Sequence, residues 1–262
     1  MKEIEKEYYS KINEDLDALE ELDAIPEEEW DGPMHDPYIA VKKLAQLALD
    51  YSRNCFRLKS PNKVYINKDA PHVVNDFTRS TYRDDICKHA LIDLQRNEQY
   101  SSLGPLQRAA FIDSLTRDNQ DVNVFAGNCD QLAESAFYYI SKYGRFILGS
   151  GSNQVRVRQV GLKNPTPFGH TWVILQYIND NTADINPEWV QWAQINYGIV
   201  CDPWANIICH AIDFKSNWVK KMQKYSSRGK YICTLNGPTN PIEPCILNFL
   251  DKPLIVINQQ DI

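Results

Sequence analysis

The sequence predicts an α+β fold. Apolar residues keep helical spacing through the first half of the chain, a glycine turn then opens one more helix at Cys129, and β-branched and aromatic runs follow it. With 262 residues, 43% of them hydrophobic, the chain can bury a sizeable core without disulfide staples. No internal repeat or low-complexity tract interrupts this order.

The first element is a charged helix. Ile4, Tyr8, Ile12, Leu16, Leu19 and Leu22 recur at spacings of three and four within a block rich in Glu and Asp. It should end before Pro26, and the segment through Gly32, Pro33 and Pro37 reads as an extended connector. Residues 1–36 are therefore expected to form an acidic helical arm and linker, and residues 37–262 the folded body. The arm is either a solvated helix face or a functional element that docks on a basic partner or blocks the active site.

Val41, Leu44, Leu47, Ala48, Tyr51 and Cys55 predict a helix over Tyr38–Leu58, and Ile86, Ala90, Leu91 and Leu94 predict a second, with a polar loop between them. A third should start at Pro105, which suits a first helical turn, and run through Phe111 and Leu115. After Cys129 come Leu132, Ala136, Tyr139 and Ile140, again at helical spacing. Strands are expected at Val155–Val160, Thr171–Ile178, Gly198–Pro203, Tyr231–Leu235 and Pro253–Ile257, with a helix over Ala211–Tyr225.

A net charge of −6 and a pI near 5.4 repel phosphate backbones, so nucleic acid is not an expected partner. The 7 cysteines include no Cys-x-x-Cys pair, which argues against structural zinc or a redox dithiol and fits a reducing compartment. No apolar run approaches the roughly 18–20 residues of a membrane span, and Met1-Lys2-Glu3 is too polar to open a secretory signal. The expectation is a soluble chain acting in the cytoplasm, without membrane insertion.

Three segments carry chemistry. In Ala126-Gly127-Asn128-Cys129, a glycine turn places Cys129 at a helix N-terminus, where unpaired N–H groups and the helix dipole favour a thiolate and can hold an oxyanion. In Phe168-Gly169-His170-Thr171-Trp172, His170 opens an apolar strand, placed to act as general base and then general acid, and Gly169 permits close backbone approach. In Val200-Cys201-Asp202-Pro203-Trp204, a short strand ends in Asp202, whose carboxylate can orient the imidazole if the two strands are neighbours. Trp204 would shield that pair from water. Asn128, Gly169, Trp172 and Trp204 are the candidate substrate-pocket residues.

In this order, Cys129, His170 and Asp202 resemble the transglutaminase-like branch of the papain-like cysteine enzymes, over roughly residues 105–215. The short interval from Cys129 to His170 is similar to that branch rather than to papain itself. The Asp202-Pro203-Trp204 turn also resembles protease and deamidase effectors that bacterial pathogens inject into host cells. The resemblance implies a papain-like or transglutaminase-like core, with the nucleophile helix packed on an antiparallel sheet. It implies Cys129 as nucleophile, His170 as base and Asp202 as orienter, with no metal or organic cofactor.

An oxyanion hole would combine the Cys129 amide with an upstream side-chain amide. Papain-like enzymes place such a group a few residues before the nucleophile, which points to Asn123, with Asn128 as competitor and helix cap. The implied activity is glutamine deamidation or transglutamination of a protein substrate, a host protein if the chain is an effector. A papain-like cysteine protease is the alternative, and a non-catalytic binding module that keeps the fold is a second. Elsewhere, His89 and the adjoining Cys209 and His210 read as structural, the latter pair opening a helix. Cys201 should face away from Asp202 and be buried, and Arg156 and Arg158 share one strand face, a solvated one by default.

Overall fold

The computed structural model describes residues 38–58, 60–65, 77–118, 125–149, 155–178, 190–195 and 197–262. The expected acidic arm and linker of residues 1–36, and Asn123, lie outside the described residues.

Eight helices and eight strands follow among the described residues. In chain order they are α1 (Ile39–Cys55), β1 (Lys63–Tyr65), α2 (Phe77–Arg96), α3 (Glu98–Ser101), α4 (Pro105–Asp118), α5 (Cys129–Leu148), β2 (Val155–Leu162), β3 (Thr171–Tyr177), α6 (Trp192–Ile195), β4 (Ile199–Asp202), β5 (Ile207–His210), α7 (Phe214–Ser227), β6 (Lys230–Thr234), β7 (Gly237–Thr239), α8 (Pro244–Leu247) and β8 (Leu254–Asp261). Short 3-10 turns at Ala211–Asp213 and Phe249–Asp251 complete the set. The α+β class holds, with helices ahead of an antiparallel sheet. No described helix is long and apolar enough to cross a membrane.

The main sheet has five antiparallel strands in the order β5-β4-β3-β2-β8. Alternation divides its side chains between two layers. Val155, Val157, Val173, Leu175, Ile199 and Cys201 face α1 and α5, meeting Val41, Leu44, Ala45, Ala136, Phe137 and Ile140. Val160, Trp172, Ile174 and Val200 belong to the other cluster, with Phe214, Trp218 and Met222 of α7 and Phe249. Every strand of the sheet's centre is buried on both faces, which is why these segments read as apolar runs rather than as clean alternation.

Entry into β4 depends on Gly198, with φ of +100°, where any side chain would run into the Leu175 carbonyl. The last strand is longer than its apolar core suggests. Its pairing with β2 shifts register between Gln159 and Val160, so Ile257 bulges out of the ladder. A second sheet, β1-β6-β7, is small and antiparallel.

Two sequence expectations change. Cys209 and His210 end β5 rather than opening a helix, because the pairing Ile199 with His210 and Val200 with Cys209 extends the sheet by a strand. Arg156 and Arg158 are not a solvated strip: Arg156 clasps Asp261 through Nε and Nη2 at 2.8 and 3.0 Å, while Arg158 is buried and donates to Gln259 and Gln176.

Candidate functional site

Cys129 is the first residue of α5. Asn128 caps the helix in extended conformation, and its own N–H donates to Gln131 Oε1 at 2.9 Å in a capping box. The turn before it needs Gly127, since a Cβ there would lie 2.8 Å from the Phe56 ring. The cap, the turn and the helix start together fix the sulfur.

The thiol is nearly buried, at 7% exposure. Burial pushes its pKa well up, and the Asp130 carboxylate adds to the shift. Backbone N–H groups of Thr171 and Asp130 pull the other way and are outweighed. This runs against the expectation that the helix terminus lowers the thiol pKa: a few aligned amides do not replace the water that Cys129 has lost.

His170 immediately precedes β3. Pairing of Val173 with Cys201 sets the end of β4 beside the start of β3, so Asp202 meets the imidazole. His170 Nε2 and Asp202 Oδ2 lie 2.7 Å apart, with both side chains at 0% exposure. The other carboxylate oxygen accepts the Ala205 N–H at 2.9 Å, and Arg53 holds the Pro203 carbonyl at 3.2 Å. Since a carboxylate accepts, the network puts the imidazole hydrogen on Nε2 and leaves the lone pair on Nδ1. That Nδ1 is buried and has no hydrogen-bond partner.

The imidazole is boxed by rings. Trp218 lies 4.8 Å away, Trp204 5.1 Å, Phe249 5.5 Å, Trp172 5.6 Å and Phe168 5.9 Å between centroids. Trp172 and Trp204 therefore sit behind and beside His170, buried at 0% and 1% exposure, and do not line the cleft in front of it. This is a correction to their expected place in the substrate pocket: both indoles pack against the imidazole within the apolar core instead.

Cys129 and His170 share a cleft of about 510 Å³ with Asn62, Asn128 and Gly169. Its walls are mainly apolar, with Leu162, Pro165, Pro167, Phe168, Ile255, the bulged Ile257 and Leu235 from the β6–β7 turn among the lining residues. Leu235 is 74% exposed, and its N–H donates to the Pro167 carbonyl at 3.0 Å, tying the hairpin to the loop before His170. Asp130 is the one acidic residue among those lining the cleft, and Thr171 Oγ1 donates to it.

The structure thus brings together Cys129, His170, Asn128 and Gly169 in one cleft, with Asp202 directly behind the histidine. Sequence reasoning missed Ser60 and Asn62. They lie in what reads only as a polar loop, yet Trp204 Nε1 donates to Ser60 Oγ and Asn62 Oδ1, each at 3.0 Å, and Ser60 Oγ lies 2.9 Å from Asn128 Oδ1. No pattern in the sequence marks that loop, because its partner is an indole far along the chain.

No family model matches the chain, and no curated protein and no solved structure is significantly similar to it. The site's chemistry therefore rests on its own geometry. A thiol, a base with a free nitrogen and an acid holding the base's other nitrogen are the parts for nucleophilic attack on a carbonyl.

Proposed function

We propose that this protein is a thiol amidohydrolase or acyltransferase with a transglutaminase-like or papain-like core, acting on protein glutamine side chains by deamidation or transglutamination. The observation that supports the reading most directly is the His170–Asp202 pair, which leaves Nδ1 unpartnered on a histidine that lines the same cleft as Cys129. In this mechanism Nδ1 takes the thiol proton as sulfur attacks, consistent with the raised thiol pKa. The sulfur–carbon bond forms and the carbonyl π pair moves to oxygen. Collapse expels the amine or ammonia, which leaves with the proton from Nδ1. Water or an acceptor amine then resolves the thioester.

Mainly apolar walls beside the thiol suit an uncharged amide flanked by aliphatic groups and shield the thioester. The similarity of the Asp202-Pro203-Trp204 turn to effector deamidases makes a host-cell protein the proposed substrate. Peptide cleavage would pass through the same thioester. A binding role without turnover is favoured by one observation, the near-complete burial of Cys129.

Intact-mass analysis separates these readings. With a glutamine-rich protein and a fluorescent primary amine as substrates, deamidation adds about one dalton, transglutamination adds the amine less ammonia, and proteolysis yields fragments. Deamidation or amine incorporation that vanishes in Cys129→Ala is the expected result. Clean cleavage would replace the reading with a protease, and no change with any substrate class would leave the binding role.

A further inference from the structure

We infer that Asn62 is the side-chain oxyanion donor of this site, supplying through Nδ2 the hydrogen bond that stabilises charge on the attacked carbonyl; the inference rests on the thioester chemistry proposed above.

The orientation of the Asn62 amide follows from chemistry. Trp204 Nε1 only donates, so the Asn62 atom 3.0 Å from it is oxygen, and a flipped amide would set two donors against each other. Ser60 Oγ also donates to Asn62 Oδ1. The oxygen is thus held on the side away from solvent by an indole that packs 5.1 Å from the His170 ring. Because the amide is planar, Nδ2 is the atom left for the cleft, which Asn62 lines together with Cys129 and His170. Among the described residues Nδ2 has no acceptor of its own.

The backbone holds the residue as firmly as the side chain. The Asn62 carbonyl accepts the Cys233 N–H at 2.7 Å, joining this loop to β6, and Ser60 Oγ lies 2.9 Å from Asn128 Oδ1 next to Cys129. A donor fixed before the reaction is what oxyanion stabilisation requires, since no reorganisation is then needed as charge develops. Asn128 is the competing amide; its backbone N–H closes the capping box and its Oδ1 lies 2.9 Å from Ser60 Oγ, so the Asn62 variants below separate the two. Trp204 accordingly does two jobs: it covers the His170–Asp202 pair and aims Asn62.

The test compares two reactions of the same sulfur. Iodoacetamide alkylates Cys129 by displacement of iodide and builds no oxyanion. p-Nitrophenyl acetate acylates it through a tetrahedral oxyanion, with sulfur bonding to the carbonyl carbon and p-nitrophenolate leaving. Asn62→Ala should lower the acylation rate on the order of 100-fold, the usual effect of losing one such donor, while alkylation changes less than about twofold. Asn62→Asp keeps an acceptor for Trp204 and Ser60 but removes the donor, so it should lower acylation at least as far with unchanged near-ultraviolet circular dichroism. Equal loss of both reactions in Asn62→Asp, or no loss of acylation in either variant, overturns the inference. Failure of the thioester reading looks different: the wild-type protein would then not be acylated at Cys129 at all.

Discussion

Cys129 is the residue at which two electrostatic effects compete, and burial wins. A helix start offers aligned amides, but the desolvated thiolate loses bulk water and faces Asp130, so the pKa moves up. At fixed reagent, alkylation of Cys129 should therefore climb with pH through the ordinary thiol range near 8.5 without levelling off at neutrality. Peptide mass spectrometry across the 7 cysteines reads this directly. A plateau below pH 7 would mean a thiolate–imidazolium pair formed in advance, and the general-base step at His170 Nδ1 would have to be abandoned.

Between elements, α4 is joined to α5 by Arg108 and Glu134, 2.6 Å apart, one turn beyond Cys129. Burial raises the Glu134 carboxyl to about 7, and the Arg108 pairing only partly opposes it. The folded protein thus holds a proton that the unfolded chain releases near the ordinary value of 4.5. Between those two values the native state binds more protons than the unfolded one, so this group's contribution to stability is present below the unfolded value and is lost as pH rises toward the folded one. Urea unfolding at pH 5 and pH 7.5 should show the wild type weakening relative to Glu134→Gln over that window. Parallel stability curves for the two proteins would show that Glu134 titrates normally.

At the scale of the whole molecule, Trp218 couples the site to the core. It lies 4.8 Å from the His170 ring, 4.6 Å from Phe249 and 6.0 Å from Trp204, and its Nε1 donates to the Ile246 carbonyl at 2.9 Å. Trp218→Ala should cost about 3–5 kcal/mol in chemical denaturation, the range for a fully buried aromatic. It should also slow Cys129 acylation, because the imidazole loses one wall of its box. A loss of stability with acylation unchanged would show that the box is packing alone.

Short-range signals along the chain were enough to locate the local elements and to name the reactive groups. Helical spacing located α1, α4 and α5, β-branched runs located β2, β3 and β4, and Gly127 with Asn128 marked a helix start at Cys129, because these signals act over a few residues. The sequence also placed Cys201 on the face opposite Asp202, where its thiol indeed lies against the Ala45 carbonyl, since alternation along a strand is a local rule. Whatever depends on distant partners emerged with the fold. The pairing of β4 with β3 brings Asp202 to His170, burial raises the Cys129 pKa, inward packing withdraws Trp172 and Trp204 from the cleft, and one indole N–H orients Asn62. Register, desolvation and hydrogen-bond geometry are properties of neighbours in space, and a chain read in order does not contain those neighbours.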